Sequence, residues 1–204
     1  MWVRQQMSDT SVNLLQAGDH IVLLVTGLFS SLLLLLARRA VAPPSHLKLI
    51  LVPLATTFFY LTYFAVQWFP APMRKNLAPA EWQPAVFVAG FCVIIIGHLV
   101  AVWGFFYLGR SFGVVVAVRK VVLQGPYRWV RHPMYLGWVL FCVGISIANF
   151  SAAYFLIIAI HISLLVYRAR LEESEIARHS PEYSAYMQTT GFIFPRFGRS
   201  DSNA

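Results

Sequence analysis

The chain has 204 residues, of which 58% are hydrophobic and only 12% are charged, with a mean hydropathy of +0.64. Soluble domains are typically about 25% charged, so this composition excludes an ordinary soluble globular domain. The formal net charge is +8, but the basic residues flank long uncharged stretches, a pattern that favours membrane topology over nucleic-acid binding. We therefore expect a multi-pass membrane protein in contact with anionic lipid or cofactor.

Apolar stretches predict about five membrane-spanning helices, because a helix needs about 20 apolar residues to cross the hydrocarbon core. In chain order, the first three candidates are residues 21–37, 49–69 and 84–109. The stretch 133–167 is uncharged over 35 residues, which as one helix would be about 52 Å long and far exceed the core. We therefore predict a hairpin of two helices that turns at residues 149–151, where Asn149 and Ser151 favour a turn.

The distribution of Lys and Arg predicts the orientation of these helices. With five spans, thirteen Lys and Arg side chains fall on one side of the membrane and three on the other. The positive-inside rule then places the N-terminus outside and the C-terminal tail in the cytoplasm. We accordingly divide the chain into residues 1–109, with three N-terminal spans, and residues 110–204, with a cytoplasmic loop, the hairpin and the tail.

Two polar segments, residues 125–137 and 168–186, flank the predicted hairpin. A hairpin returns its second end close to its first, so topology alone predicts that the two segments meet. Pro133 suits the first turn of a helix and biases His132 toward an extended backbone, from which its ring is expected to project at the membrane surface. Arg168 and Glu172 are four residues apart on one helix face and are expected to form an ion pair.

Each of these residues also has a structural interpretation. Arg128 and Arg131 can serve as headgroup anchors, and the three glutamates of residues 172–175 can form a solvated helical turn. We favour a functional site because the hairpin brings both segments together. His98 and His161 lie inside predicted spans and are interpreted as structural hydrogen-bonding residues. Cys92 and Cys142 predict neither a disulfide framework nor a metal site.

The two segments resemble the isoprenylcysteine carboxyl methyltransferases and their phospholipid methyltransferase relatives. The resemblance runs from Leu108 to about Pro195, whereas the N-terminal half matches only as apolar spans. It rests on these motifs: Gly125-Pro126-Tyr127, Arg131-His132-Pro133-Met134-Tyr135-Leu136-Gly137, Glu172-Glu173, and Glu182-Tyr183 with Tyr186. In the second motif, Gly137 is expected to leave room for close approach to the backbone.

The resemblance implies an all-α membrane fold that binds S-adenosylmethionine from the cytosol and methylates a lipophilic acceptor, such as the carboxylate of an isoprenylated cysteine. The cofactor-binding residues that it implies are Arg119, Lys120, Val121, Val122, Tyr127, His132, Pro133, Met134, Tyr135 and Glu172. It also implies that Arg168 faces the acceptor. His132 is the candidate general base if the acceptor is an amine, because an amine must lose a proton.

Several departures from the family pattern concern the acceptor more than the cofactor. The sequence has Arg178-His179-Ser180-Pro181 where the family often has Phe-Gly, and its loop 112–120 is short and apolar. A prenylated cysteine, a phospholipid amine and another hydrophobic acid therefore remain open as acceptors, as does the oligomeric state. Two alternative functions also remain: a sterol-reductase-like enzyme that uses NADPH, and a membrane accessory protein without activity.

Overall fold

The computed structural model describes residues 46–111 and 121–196, and the regular structure of these residues is helical. One isolated parallel bridge, between Val130 and Gly191, is the exception. The prediction of an all-α fold is thus confirmed for the described residues. The first predicted span, residues 21–37, lies outside them, as do Arg119 and Lys120.

The N-terminal part of the described chain consists of three α-helices and one 3₁₀-helix. Helix α1 (Lys48–Phe58) contains Pro53 and continues directly as a 3₁₀-helix (Phe59–Trp68), so the second predicted span, residues 49–69, is helical as far as Trp68. A short helix α2 (Ala71–Arg74) follows. Helix α3 (Gln83–Leu108) begins one residue before the predicted third span and ends one residue before its predicted end.

The C-terminal part forms the predicted hairpin. After short 3₁₀ turns at Gly109–Ser111 and Gly125–Arg128, helix α4 (Pro133–Asn149) and helix α5 (Ala152–His179) are joined through Phe150 and Ser151. The turn therefore lies where the sequence predicts it. Helix α5 continues past the apolar stretch, and helix α6 (Pro181–Thr189) follows it.

Within the part of the chain that the structure describes, two helices, α3 and α5, are long and apolar enough to cross a membrane. Helices α1 and α4 are apolar but shorter, with 11 and 17 residues. The apolar part of α5 ends at Tyr167, and Arg168 is its first charged residue. Length and composition thus support membrane helices, while the number of five spans and their orientation stay predictions.

Helices α3 and α4 run antiparallel at very short distance, because glycines face each other along the contact. A Cβ atom added to Gly97 would lie 2.6 Å from the Phe141 nitrogen and 2.7 Å from the Gly137 oxygen. A Cβ atom added to Gly137 would lie 2.5 Å from the Ala101 nitrogen. The expected approach to the Gly137 backbone therefore exists, but it is made by helix α3.

We expect Gly97→Ala to destabilise the protein by about 1–3 kcal/mol, since the new methyl group meets backbone atoms of α4 that have no rotamer to change. Thermal unfolding in detergent measures this effect. Ala89→Ser, on the exposed side of the same helix, is the matched control and should change stability by less than about 0.5 kcal/mol. Equal melting temperatures for both variants would mean that α3 and α4 are not in backbone contact at Gly97.

Helix α1 and its 3₁₀ extension pack antiparallel along α5. Leu49 contacts Leu171 near one end of the contact, and Val66 contacts Ala153 near the other. Between them, the Tyr63 hydroxyl lies 2.6 Å from Nδ1 of His161. This packing brings the middle of α1 close to the charged part of α5.

Candidate functional site

Glu172 lies at the centre of a group of polar side chains at the cytosol-side end predicted for the hairpin. Its Oε1 atom accepts a hydrogen bond of 2.5 Å from the Tyr135 hydroxyl and one of 3.1 Å from Nε of Arg168. The predicted ion pair between Arg168 and Glu172 is thus confirmed. Among the described residues, Oε2 has no hydrogen-bond partner, and the side chain is 22% exposed. Glu172 therefore has one oxygen tied to the protein and one that can accept from a ligand.

Arg168 connects α5 to α1. The residue is only 8% exposed, and its Nη1 atom lies 2.9 Å from Oγ1 of Thr56, 3.2 Å from Oγ1 of Thr57 and 3.3 Å from the Pro53 oxygen. Its guanidinium carbon lies 5.6 Å from the centre of the Tyr135 ring. The guanidinium group is therefore held between three helices, which fixes its position beside Glu172.

The second glutamate of the doublet, Glu173, binds the turn that precedes α4. Its Oε1 atom accepts from Nε of Arg131 at 2.5 Å and lies 3.2 Å from Nε2 of His132. Burial alone would raise the pKa of Glu173, but the hydrogen bonds and charges of His132 and Arg131 outweigh it and lower that pKa. Glu173 is therefore ionised at neutral pH.

His132 is buried, which corrects the expectation that its ring projects at the surface. The ring lies between Glu173 and two aromatic side chains, with its centre 5.2 Å from the Tyr135 ring and 5.2 Å from the Phe192 ring. Pro133 does begin helix α4, as predicted, but His132 turns inward because Glu173 offers it a hydrogen bond there.

Tyr127 is buried on the other side of this group. Its hydroxyl donates to the Gly104 oxygen at 3.4 Å, and the Tyr186 hydroxyl donates to its carbonyl oxygen. Burial is the main cause that raises the pKa of Tyr127 above its usual value, and the negative charge of nearby Glu172 raises it further. Tyr127 therefore remains a neutral phenol close to Glu172.

The other predicted cofactor residues have different surroundings. Pro133 is fully buried, and Met134 packs against Phe105 of α3. Val121 and Val122 are partly buried in the segment that leads to the Gly125–Arg128 turn. The structure thus brings Tyr127, His132, Tyr135, Arg168 and Glu172 together, whereas Met134 contributes to packing against α3.

Several side chains of this site are not indicated by the sequence patterns. From its position, Arg131 is interpreted as a headgroup anchor and Glu173 as part of a motif. The adjacent pairs Arg131-His132 and Glu172-Glu173 are nevertheless a visible signal for paired contacts. The other missed residues are Thr56, Thr57 and Phe192. Nothing in the sequence marks them, because they reach the site only through the packing of α1 and of the chain after α6.

The assembled group offers charges and aromatic faces suited to an organic cation. A carboxylate with a free oxygen attracts an amine or a sulfonium, and the faces of Tyr135 and Phe192 favour positive charge. A buried guanidinium favours a carboxylate or phosphate. No group of three or more His, Cys, Asp and Glu side chains within 46–111 and 121–196 is arranged to hold a metal ion.

A known protein family matches the part of the chain that contains Glu172. The model of the phospholipid methyltransferase family matches residues 85–180. This range contains all of α4 and α5, with Glu172 and its partners Tyr135 and Arg168. The predicted relationship to the isoprenylcysteine carboxyl methyltransferase and phospholipid methyltransferase family is thereby confirmed for this part of the chain.

Individual relatives match about half of the chain or slightly less. Protein-S-isoprenylcysteine O-methyltransferase of Tribolium castaneum is 32% identical over 95 residues, which are 44% of this chain and 30% of the relative. The Rattus norvegicus protein of the same name is 30% identical over 107 residues, or 50% and 36% of the two chains. The Homo sapiens protein is 30% identical over 98 residues, or 44% and 33%. The match spans about a third of the length of each relative.

Proposed function

We propose that this chain, as a relative of the membrane methyltransferases, transfers a methyl group from S-adenosylmethionine to the carboxylate of a lipophilic acceptor such as an isoprenylated cysteine. The free oxygen of Glu172, beside Tyr135 and Arg168, is the observation that carries the proposal. This arrangement places the Glu172 carboxylate next to the Tyr135 side chain, and both groups attract a cationic cofactor. The similarity to isoprenylcysteine O-methyltransferases supports the choice of a carboxylate acceptor.

The residues around Glu172 fit S-adenosylmethionine, which supplies a methyl group on a positively charged sulfur. Glu172 would accept from the amine of the cofactor or lie against its positive charge, and the Tyr135 hydroxyl holds the carboxylate in place. Tyr127 and His132 would line the pocket, with Pro133 fixing the start of α4. The segment before the Gly125–Arg128 turn would add further cofactor contacts, from Arg119, Lys120, Val121 and Val122.

Arg168 would hold the anionic end of the acceptor. Methyl transfer is an in-line displacement. Alignment of the acceptor oxygen behind the methyl group lowers the activation barrier by up to about 7–11 kcal/mol. Arg168 is fixed by Glu172 on one side and by Thr56 on the other, so it can align an anion with the cofactor bound at Glu172. A carboxylate needs no general base; an amine would need one, and His132 would serve.

The apolar helices suggest how the two reactants arrive. The site would lie at the cytoplasmic face of the membrane, with the polar cofactor entering from water and the prenyl chain from lipid between helices. The strong asymmetry in Lys and Arg, thirteen against three, supports this orientation.

Isothermal titration of the detergent-purified protein with S-adenosylmethionine tests the proposal directly. We expect saturable binding, and transfer of a labelled methyl group to a farnesylated cysteine with a free carboxylate. The same compound with its carboxylate blocked as an amide should remain unlabelled. Absence of cofactor binding would contradict the proposal.

Two other functions predict different results in the same experiment. A reductase on this fold would bind NADPH and show no heat with S-adenosylmethionine. A non-enzymatic accessory protein would bind neither cofactor. Label found only in phosphatidylethanolamine would indicate N-methylation, for which His132 is the candidate base.

A further inference from the structure

We propose that Arg131 and Glu173 are positioning residues: they fasten the chain after α6 to the turn before α4, and they hold the His132 ring in one tautomer. Their predicted effect on cofactor binding rests on the proposed function. Their predicted effects on local structure do not.

The Arg131 side chain joins three separate parts of the chain. Its guanidinium group donates to both oxygens of Glu173 on α5, at 2.5 and 3.5 Å. It also donates to the carbonyl oxygens of Met187, at 2.9 Å, and of Thr190. The two charged side chains are only 10% and 12% exposed. Removing one partner of a pair this buried leaves an uncompensated charge, which costs more free energy than breaking an exposed ion pair does.

Backbone hydrogen bonds extend the same connection. The Arg131 nitrogen donates to the Gly191 oxygen at 2.8 Å, and the His132 nitrogen donates to the Phe192 oxygen at 3.1 Å. In return, the Gly191 nitrogen donates to the Trp129 oxygen at 3.3 Å. The chain at residues 190–192 therefore runs beside residues 129–132 and forms one wall around the His132 ring.

Glu173 determines which nitrogen of His132 carries the proton. An ionised carboxylate only accepts hydrogen bonds, so Nε2, which lies 3.2 Å from Oε1, is the protonated atom. In the neutral ring Nδ1 then carries the lone pair, and it has no hydrogen-bond partner among the described residues. Nδ1 is thus the atom that can accept a hydrogen bond from the cofactor or a proton from an amine acceptor.

Hydrogen exchange tests the first part of the proposal. We expect amide exchange in residues 187–193 to be at least tenfold faster in Arg131→Lys than in the parent protein, because one ammonium group cannot reach both Glu173 and the carbonyl oxygens. Arg178→Lys is the matched control: Arg178 also pairs with a glutamate of α5, but its side chain is 60% exposed. Exchange in Arg131→Lys that equals that of the parent and the control would overturn the fastening role.

The ¹⁵N chemical shifts of histidine test the second part, with His132→Asn used to assign the signal. The parent protein should show His132 protonated at Nε2. Glu173→Ala, or Glu173→Asp if the alanine variant does not fold, should give a mixture of both tautomers. A parent signal with the proton on Nδ1, or identical signals in parent and variant, would overturn this part.

Calorimetry connects both parts to the proposed cofactor site. If the parent binds S-adenosylmethionine, Arg131→Lys and Glu173→Ala should each weaken that binding at least tenfold, whereas Arg178→Lys should not. Unchanged affinity in both variants would overturn the positioning role. A parent that binds no cofactor would refute the proposed function, and the exchange and tautomer measurements would still decide the structural roles.

Discussion

Glu172→Gln is expected to weaken S-adenosylmethionine binding by about 10- to 100-fold while leaving the fold intact. A hydrogen bond to a charged group contributes about 1.5–3 kcal/mol, and the amide removes the charge that attracts a cation. The amide oxygen can still accept from the Tyr135 hydroxyl and from Nε of Arg168, as Oε1 does in the parent. Isothermal titration measures the affinity, and thermal unfolding measures the stability.

Glu182→Gln is the control for the general loss of a negative charge. Glu182 is exposed on α6, so its replacement should leave cofactor affinity within about twofold of the parent. Glu172→Ala should have a second effect, because it also removes the oxygen that accepts from the Tyr135 hydroxyl and from Nε of Arg168; we expect a loss of stability of about 3 kcal/mol. Parent-like affinity in both Glu172 variants would show that Glu172 does not contact the cofactor.

Arg168→Lys is expected to lower kcat/KM for an anionic acceptor by about 100-fold, or about 2.7 kcal/mol of transition-state stabilisation. The guanidinium group spans from Glu172 on α5 to Thr56 on α1, and an ammonium group on a flexible chain cannot make both contacts. The acceptor would then be held loosely, and small errors in alignment cost large factors in rate. Cofactor affinity should fall less than tenfold, since Glu172 and Tyr135 remain.

Arg170→Lys provides the comparison. Arg170 lies two residues further along the same helix and is exposed. Its guanidinium carbon lies 5.2 Å from the centre of the Phe192 ring. Its replacement should leave kcat/KM within about threefold of the parent. Equal rates for the two lysine variants would show that Arg168 does not hold the acceptor, whatever the outcome for Glu172.

The hairpin was predictable because its signals are local. A stretch of 35 uncharged residues is too long for one membrane helix, and Asn149 and Ser151 supply a turn near its middle. The structure turns at this point and begins α4 at Pro133, as expected. The pairing of Arg168 with Glu172 was predictable for the same reason, since residues four apart on a helix lie on one face.

The burial of His132 was not predictable from its neighbours in sequence. Pro133 indicates the local backbone, but whether the ring faces water or protein depends on what lies opposite it. Glu173 lies opposite, and it reaches that position only because α5 returns alongside α4. The contribution of Thr56 to the site is similar, since two threonines within an apolar stretch give no sign that an arginine over a hundred residues later will bind them.

The sequence by itself determined the helical class, the hairpin, the family resemblance and most of the residues around Glu172, because hydropathy, turn residues and short motifs are properties of neighbouring positions. Tertiary structure alone decided how these residues are used. It placed α3 against Gly137, turned His132 toward Glu173, and brought α1 to Arg168. The physical reason is that burial and hydrogen-bond satisfaction depend on atoms from distant parts of the chain, and only packing specifies which atoms those are.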